Sequence, residues 1–361
     1  MNVWISLIAS LIVVGGLVVG SAGLAGLAQY TQTSGVLLLL GVVVPMLAFA
    51  TFIVGVILQV VKWGRRPVPF PIATVAGQGK TLPWIKADYF DAPYTKLGVV
   101  GRMAMEVLFF RSLFRNTKME LHQGPKVVYG WQMWLWVFAL AFHYSFLTVF
   151  IRHFRFFTED GTVAFQAVKI LESLDGFLQL GLPGVLISGF VLLGAATMLL
   201  LRRLTNAQVR YVSLLQDYFP LLLIISIAAS GILMRHVIKV DIVAVKDLIL
   251  SMLNLNFAGM GDKALAIGWM FYLHIFLVSV LLAYIPVSKL MHMGGIFLSP
   301  TRNLLCNTRE FRHINPWNYP VKVHTYEHYE DEFREKMIEA GLPVDKPMSE
   351  TQEAAAPEEK E

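Results

Sequence analysis

Six long apolar runs constrain this chain most, because each is close to the length of about 20 residues with which a helix crosses the hydrocarbon core of a bilayer. In lipid, such a segment satisfies all of its backbone hydrogen bonds only as a helix. The runs lie at roughly 3–28, 35–61, 128–151, 177–201, 214–238 and 264–290. The sequence therefore predicts an all-α membrane protein, a bundle of six transmembrane helices with a cytoplasmic loop and a C-terminal tail.

The composition agrees with this prediction, since 56% of the residues are hydrophobic and 15% are charged, which is too apolar for an ordinary soluble domain. No basic residue precedes the first run, and no clear small-residue cleavage site follows it. We therefore expect a retained helix and not a secretory signal. The single cysteine, Cys306, excludes an internal disulfide and cannot supply four thiolates to an iron–sulfur cluster.

The basic residues between the runs predict the orientation of the chain. The segments 62–127 and 202–210 hold 11 and 3 Lys or Arg, whereas 29–34, 152–174 and 235–263 hold 0, 3 and 4. By the positive-inside rule, both termini and the 62–127 loop are cytoplasmic. The net charge of +5 thus reflects topology, and we predict no nucleic-acid partner.

Four regions follow one another along the chain. Residues 1–63 are predicted to form an N-terminal pair of transmembrane helices, 64–127 a cytoplasmic connector, 128–292 a four-helix core and 293–361 a cytoplasmic tail. The end of the tail, 344–361, is rich in Pro, Glu and Ala, a composition typical of disorder.

The connector itself has two parts. Five prolines between positions 65 and 93 exclude a long regular helix there. Residues 97–115 then mix bulky apolar side chains with three arginines and one glutamate, a pattern typical of a helix in the membrane interface. Such a helix either packs on the protein itself or forms a docking platform for a cytoplasmic subunit, and the sequence leaves both interpretations open.

Two of the apolar regions carry histidines, with His143 and His153 on the third and His274 and His292 on the sixth. A lone histidine in a membrane helix is usually a packed interior residue or a proton relay. Two neutral imidazoles from facing helices can instead hold a haem iron from both sides, which leaves no open position and favours electron transfer. Four histidines on two helices favour this second interpretation.

The spacing of these histidines predicts how they pair. Since the third and sixth helices are antiparallel, His153 is expected to face His274 on the outer side, and His143 to face His292 on the inner side. Ten residues between the first two correspond to about 15 Å of helix, and eighteen between the last two to about 27 Å. This difference of about 12 Å requires tilted helices or tilted haems.

Three sequence stretches carry a family resemblance, namely WVFALAFH ending at His143, HFRFF beginning at His153 and HIFLVSVLLAYIPVSKLMH from His274 to His292. They resemble the haem-ligating helices of the respiratory nitrate reductase gamma-subunit family, with the same spacings of 10 and 18 residues, and the resemblance covers mainly 128–300. It implies a dihaem b core in which these four histidines are the axial ligands of two haem b groups.

The added N-terminal helix, the 64–127 loop and the tail HINPWNYPVKVHTYEHYEDEF from His313 carry a narrower resemblance, to the M subunits of Dsr membrane complexes associated with dissimilatory sulfite reduction. It implies a multi-pass subunit in the cytoplasmic (inner) membrane of a prokaryote. The implied function is electron transfer between a quinone pool, with menaquinone as substrate, and a cytoplasmic iron–sulfur subunit resembling the catalytic subunit of heterodisulfide reductases. Other Dsr-type subunits are implied as further partners.

Several other polar residues are candidates for function. His236, beside Arg235 at the outer end of the fifth run, is placed to meet a quinone near the outer haem and to exchange its proton. The alternative is an interfacial His–Arg pair that meets lipid phosphate. Arg152 is interpreted as a helix-end anchor and Asp217 as an interfacial carboxylate, with proton movement as the alternative for Asp217.

The remaining histidines, His122, His313, His324 and His328, are interpreted as surface or partner-contact residues, with a zinc site at 324–328 as the alternative. No phosphate loop, nucleophile elbow or HExxH motif is present. Two rival functions stay open, a proton-coupled transporter and a haem-free structural anchor. Transporters typically carry internal repeats and broken helices, and the sequence shows neither.

Overall fold

A computed structural model of the chain describes residues 3–66, 77–124, 126–176, 184–299, 301–307, 310–311 and 324–346. The chain divides into two compact units. The first comprises Met1–Arg66 and Pro71–Phe311, and the second comprises Pro67–Phe70 and Arg312–Glu361. All of the predicted membrane helices belong to the first unit.

Within the described residues, six helices are long and apolar enough to cross a membrane, which confirms the predicted all-α membrane fold. They are Val3–Tyr30, Ser34–Gly64, Met133–Phe156, Ile187–Thr205, Leu215–His236 and Trp269–Val287. Their outward side chains, such as Ile12, Val19 and Leu47, are exposed, as expected for surfaces that face lipid. The predicted start of the fourth span at 177 falls on 177–183, outside the described residues.

The element bounds are as follows. The helices are α1 Val3–Tyr30, α2 Ser34–Leu38, α3 Val44–Gly64, α4 Lys96–Phe109, α5 Arg111–Phe114, α6 Met133–His153, α7 Val163–Asp175, α8 Ile187–Thr205, α9 Ala207–Tyr211, α10 Leu215–His236, α11 Ile242–Leu253, α12 Met260–Ala266, α13 Trp269–Tyr284, α14 His292–Gly295 and α15 Tyr326–Glu339. The strands are β1 Thr117–His122 and β2 Lys126–Trp131. A π-helical turn, Leu39–Val43, joins α2 to α3.

The centre of the bundle is formed by α10 and α13, which pack on each other and on α1. Helix α8 packs on α10, α6 packs on α8, and α3 packs on α13. One buried cluster joins α1, α8, α10 and α13 through residues such as Val14, Leu223 and Leu277. Within the described residues, α6 makes few backbone contacts with α13, so these two helices approach each other mainly through side chains.

Two glycines allow α3 and its π-turn to lie close to α13. A Cβ atom on Gly41 would lie 2.7 Å from Cε1 of Tyr272, and one on Gly55 would lie 2.6 Å from Cβ of Pro286. Both distances are far below van der Waals contact, and both opposing groups are rigid rings. Because no smaller residue exists, this helix–helix distance depends on glycine at both positions.

The β-hairpin corrects the predicted start of the third span. The third span was predicted to begin at 128, but 126–131 pairs with Thr117–His122 as an antiparallel strand, and the helix begins at Met133. One face of the hairpin is apolar and exposed, with Met119, Leu121, Val127, Tyr129 and Trp131 on it. The opposite face is polar.

The connector is held together by a buried carboxylate. Asp91 is 3% exposed, accepts hydrogen bonds from the guanidinium groups of Arg111 and Arg115, and receives Arg102 Nη1 on its backbone oxygen at 2.8 Å. Glu106, also buried, accepts from the backbone N–H and hydroxyl of Ser112. Helix α4 therefore turns Arg102 and Glu106 inward.

The apolar residues of α4 lie on its other side, where Leu97 and Val100 are exposed. This arrangement is the reverse of an amphipathic helix that docks on a protein through its apolar face. The sequence predicts one helix over 97–115, but the structure has two helices there, α4 and α5, which are separated at Phe110.

We expect replacement of Asp91 by asparagine to destabilise the connector by about 2 kcal/mol, because the buried carboxylate loses its charge-assisted hydrogen bonds from the partly buried Arg111 and the half-exposed Arg115. Burial raises the pKa of Asp91, but hydrogen bonds from Arg111 and Arg115 outweigh it and hold the pKa below 3.8. The stabilisation is therefore complete above pH 3.8 and lost as the pH falls further.

Hydrogen–deuterium exchange over 77–116 checks this expectation. In Asp91→Asn, the backbone amides of 77–116 should exchange faster at neutral pH. The faster exchange that the unchanged protein shows on acidification should be absent from this variant. Asp160→Asn is the matched control, because its carboxylate is 77% exposed in an ion pair with Lys246 and contributes little. Equal protection in both variants would contradict the role assigned to Asp91.

The described part of the second unit is a small helical motif. Helix α15 carries Glu330, which is buried and accepts hydrogen bonds from the backbone N–H groups of Asp345 and Lys346, both at 2.8 Å. Arg334 Nε donates to the same carboxylate at 3.2 Å. Most of the tail end predicted to be disordered, from 347 onward, falls outside the described residues.

Candidate functional site

Helix α6 orients its two histidines in the same way. The Nδ1–H of His143 donates to the carbonyl of Ala139 at 2.7 Å, and that of His153 donates to the carbonyl of Val149 at 2.6 Å. Each bond returns to the residue four positions earlier, so the helix itself supplies the acceptor. This pattern fixes the tautomer and leaves the lone pair of each Nε2 directed away from the helix.

His292 does not lie on the same continuous helix as His274, which corrects the sequence analysis. Helix α13 ends at Tyr284, a 3₁₀ turn follows at Ile285–Val287, and Ser288 is extended with φ −114° and ψ 172°. Pro286 in this turn cannot donate an intrahelical hydrogen bond. The rise of about 27 Å expected for an unbroken helix therefore does not apply, and it no longer requires a mismatch between the two histidine spacings.

A second turn and an ion pair position His292 after this break. Its Nδ1–H donates to the carbonyl of Lys289 at 2.8 Å, and Lys289 Nζ in turn donates to Asp217 Oδ1 at 2.8 Å. Asp217 also accepts from the backbone N–H of Leu214 at 3.0 Å at the start of α10. Asp217 thus ties the His292 segment to the central helix, a role that the sequence analysis did not predict.

His274 is the most enclosed of the four histidines, with 9% of its surface exposed. Its Nδ1 lies 2.9 Å from Oγ of Ser230 on α10. A Cβ on Gly231 would lie 3.3 Å from the ring, so the neighbouring helix forms the wall behind this imidazole.

The structure brings the four rings together in two pairs. The ring centres of His143 and His292 are 5.8 Å apart, and those of His153 and His274 are 6.3 Å apart. Both pairs are those expected from the antiparallel course of the third and sixth spans. All four Nδ1 atoms are hydrogen-bonded, so each ring has Nε2 available as a ligand.

These pairs fit the axial ligation of a haem iron. Metal–nitrogen bonds are about 2.0–2.1 Å long, so two imidazoles on opposite sides of one metal have ring centres about 6 Å apart. The donor set is also suitable, because iron accepts imidazole nitrogen. Arg152, next to His153, has a buried Nε without a hydrogen-bond partner within the described residues, which suits an anionic group such as a haem carboxylate.

An aromatic side chain from the connector covers the His143–His292 pair. The ring centre of Phe110 lies 4.9 Å from that of His143 in an edge-on contact. Phe110 has φ 50°, a left-handed conformation that costs a non-glycine residue about 1–3 kcal/mol. Tyr144 and Trp136 on α6 donate to the carbonyls of Leu108 and Phe109, at 2.9 and 2.7 Å, and hold this segment in place.

The His153–His274 pair lies beside a cluster of arginines and carboxylates. Arg152 Nη1 donates to Asp175 at 2.6 Å and to the hydroxyl of Ser188 at 2.8 Å. Arg155 donates to Glu172 at 2.6 Å, and Arg235 lies 3.9 Å from the same carboxylate. Arg152, predicted as a helix-end anchor, is therefore part of a network that joins α6, α7 and α8.

Arg235 and His236 differ in their surroundings. Arg235 donates to the carbonyl of Gly184 at 3.2 Å and lines a pocket of about 650 Å³ together with Glu172. This pocket is wide open to the surface. The ring of His236 lies 5.8 Å from that of Phe190 and does not line the pocket.

Three of the remaining candidate histidines lie within the described residues. His122 is 3.3 Å from Glu120 on the hairpin, and His324 is 3.3 Å from Glu332 in the second unit, 6.0 Å from the ring of His328. Within the described ranges, no group of three or more His, Cys, Asp or Glu could hold a metal ion. His313 falls outside the described residues, and Cys306 donates its backbone N–H to the carbonyl of Pro93.

Known proteins are similar to this chain in sequence. The family model of the nitrate reductase gamma subunit matches residues 129–308, which include all four histidines. The Hdr-like menaquinol oxidoreductase cytochrome b-like subunit of Archaeoglobus fulgidus is 43% identical over 281 residues, 77% of this chain and 83% of that protein. The subunit of the same description from Archaeoglobus profundus is 39% identical over 279 residues, 76% of this chain and 81% of that protein. The chain therefore belongs to the family of Hdr-like menaquinol oxidoreductase cytochrome b-like subunits.

Proposed function

We propose that this chain is a dihaem cytochrome b subunit that transfers electrons between membrane menaquinol and a cytoplasmic iron–sulfur protein. The observation that carries the proposal is the arrangement of four histidines as two facing pairs, each ring with Nδ1 occupied and Nε2 available. A proton relay would not need four rings in the same tautomer at ligating separation. When bound, two haem b groups supply reversible one-electron transfer.

The chain's own residues hold and insulate these centres. His143 with His292, and His153 with His274, would ligate one iron each from both sides and leave no position for oxygen or substrate. Phe110 shields the first pair on its connector side, and Ser230 and Gly231 enclose the second. Arg152 and its neighbours provide positive charge beside the second pair.

We assign the two pairs to opposite sides of the membrane. The connector packs on α6 next to His143, and its basic residues put it on the cytoplasmic side by the positive-inside rule. The His143–His292 pair is then the inner centre and the His153–His274 pair the outer one, with both termini cytoplasmic. We further propose, from the family resemblance, that the chain lies in a prokaryotic inner membrane and that quinol reaches the outer pair.

The relatives support the proposed substrate and partner. The two Archaeoglobus proteins are described as subunits of menaquinol oxidoreductases that are Hdr-like. Menaquinol as electron donor and a heterodisulfide reductase-like partner are therefore proposed here as well. A single cysteine cannot ligate an iron–sulfur cluster, so such a cluster belongs to the partner. The resemblance to Dsr M subunits adds sulfite or sulfur reduction as the metabolic setting and further Dsr-type subunits as partners.

Arg235 is proposed to line the quinone site near the outer pair, with His236 next to it in the chain and outside the lining of the pocket. The pocket beside Arg235 and the cluster around Glu172 offer both a polar wall and groups that exchange protons. His236 would accept the quinol proton, a contribution that is typically about 100-fold or more.

The test uses purified protein in lipid nanodiscs and follows haem absorbance after addition of a menaquinol analogue. The unchanged protein should be reduced by quinol, and His236→Gln should be reduced about 100-fold more slowly. Lys239→Ala, an exposed basic residue on the same segment, is the control and should react normally. Dithionite should reduce all three proteins equally.

The outcomes separate the parts of the proposal. Normal quinol kinetics in His236→Gln would remove that residue from the quinone site. Reduction by dithionite but not by quinol would contradict the quinone link. A haem-free preparation from haem-competent cells would overturn the whole proposal and favour a transporter or a structural anchor.

A further inference from the structure

We propose that Ser230 is a positioning residue for His274, and that its hydroxyl sets the redox potential of the haem that this histidine would hold. The inference rests on the proposed dihaem function and concerns a residue on α10, a helix that carries none of the four ligands. Ser230 is buried, with 4% of its surface exposed. Its Oγ lies 2.9 Å from Nδ1 of His274.

The direction of this hydrogen bond depends on where the single hydroxyl proton of Ser230 lies. The hydroxyl of Ser230 also lies 2.9 Å from the carbonyl of Ile227, an atom that can only accept. A neutral imidazole that ligates a metal through Nε2 carries its proton on Nδ1, so under the proposed function His274 donates and Ser230 Oγ accepts. The single hydroxyl proton of Ser230 is then donated to the carbonyl of Ile227.

His274 differs from the other three histidines in this respect. His143, His153 and His292 donate to backbone carbonyls three or four residues earlier in their own segments. Those acceptors are present in any sequence that folds into the same helix. His274 instead has a side chain from another helix as its near partner, beside the backbone carbonyl of Ile227 on that helix, so residue 230 contributes to the orientation of the ring.

Gly231 provides the space in which the imidazole of His274 lies. A Cβ at this position would lie 3.3 Å from Cε1 and 3.8 Å from Nδ1 of His274. The absence of a side chain lets α10 approach the imidazole closely enough for the adjacent Ser230 to reach it. Serine and glycine at consecutive positions thus provide the acceptor and the space.

The hydrogen bond has a chemical consequence for a bound iron. An imidazole that donates from Nδ1 becomes a more basic ligand at Nε2, and a more basic ligand stabilises the ferric state over the ferrous state. Loss of the acceptor should therefore raise the midpoint potential of the haem held by His153 and His274. The haem held by His143 and His292 should be unaffected.

The experiment is a potentiometric titration of the purified, haem-loaded protein, with both haems followed by absorbance. Ser230→Ala should shift one of the two midpoint potentials upward and leave the other unchanged. Ser230→Thr keeps a hydroxyl and should restore the original value. Ser230→Cys keeps the shape with a weaker acceptor and should give an intermediate shift.

The matched control is Ser226→Ala, one turn earlier on α10. Ser226 donates to the carbonyl of Leu222 at 2.9 Å, as a helix serine does, and it is not hydrogen-bonded to a histidine within the described residues. Both midpoint potentials should stay unchanged in this variant. A shift equal to that of Ser230→Ala would show a general effect of removing a helix hydroxyl and would overturn the proposal.

Two further outcomes would also overturn it. Unchanged potentials in Ser230→Ala and Ser230→Cys would mean that the carbonyl of Ile227 or another group replaces the hydroxyl without consequence. If Ser230→Ala retains too little haem to titrate, unchanged potentials in Ser230→Cys alone would assign Ser230 a packing role only. Failure of the proposed function is distinguishable, since the unchanged protein would then contain no haem to titrate.

Discussion

Replacement of His143 by alanine should halve the haem b content of the purified protein, from two haems per chain to one. The side chain supplies one of two axial ligands, and the ring of its partner His292 is 5.8 Å away. Without His143, only His292 remains to ligate this iron, and His292 is exposed to solvent. We therefore expect this haem to be lost. The measurement is haem extraction against protein concentration, combined with reduced-minus-oxidised spectra.

Replacing both members of a pair tests the pairing more strictly than a single replacement does. His292→Ala should remove the same haem as His143→Ala, and the double variant should lose no more than either single variant, because residues that act as one unit are not additive. His153→Ala and His274→Ala should each remove the other haem. A full b-type signal that survives His143→Ala and His292→Ala together would contradict the assignment of this pair.

Two histidines outside the pairs serve as controls. His122 lies on the hairpin next to Glu120, and His236 packs against Phe190. Alanine at either position should leave both haems in place. If His236→Ala also removed a haem, the division into four ligands and separate quinone-site residues would be wrong.

The sequence was sufficient to predict the six spans because the length and hydropathy of each span are local properties. It also predicted which histidines meet, since antiparallel helices reverse the order of residues across a membrane. It failed on the geometry of the last span, where a continuous helix to His292 was assumed. Pro286 was the available signal, because proline in a helix interior ends or kinks it.

The hairpin was missed for a different reason. Residues 126–131 are apolar enough to merge with the span that follows, and the alternation of polar and apolar residues in Thr117–His122 was not used. The pairing of Met119 with Tyr129 and of Leu121 with Val127 shows that alternation clearly. A period of two over six residues would have predicted the strand.

Contacts between residues far apart in the chain could not be predicted from the sequence. Nothing in the connector indicates that Phe110 packs on His143, 33 positions later, or that Asp91 binds arginines 20 and 24 residues away. The acceptor for His274 is likewise on another helix, 44 residues earlier. Such contacts depend on how helices pack, and one sequence specifies that packing only through the whole fold.

Gly55 connects the packing of the bundle to the His143–His292 pair, and we expect Gly55→Ala to disturb that pair selectively. The new Cβ would lie 2.6 Å from Cβ and 2.8 Å from Cγ of Pro286. A proline ring cannot rotate away, so α3 or the 3₁₀ turn Ile285–Val287 must move. Overpacking of this kind typically costs about 1–3 kcal/mol.

The turn at Pro286 determines where His292 lies, because Ser288 and Lys289 follow it directly. A displaced turn should strain the ion pair between Lys289 and Asp217 and move the imidazole of His292 away from that of His143. If the full cost falls on haem binding at this pair, the affinity drops by about 5- to 150-fold. His274 lies three turns earlier on α13, so its haem should be retained.

Measurement of haem loss on dilution in Gly55→Ala, with each haem identified by its midpoint potential, checks this selectivity. Gly64→Ala is the matched control, because it lies on the same helix and its Cβ would meet no atom within 4 Å. It should release haem like the unchanged protein. Equal loss from both sites in Gly55→Ala would show a general loosening of the bundle. Selective loss of the haem at His143 and His292 would show that α3, in the N-terminal helix pair, sets the position of a ligand in the dihaem core.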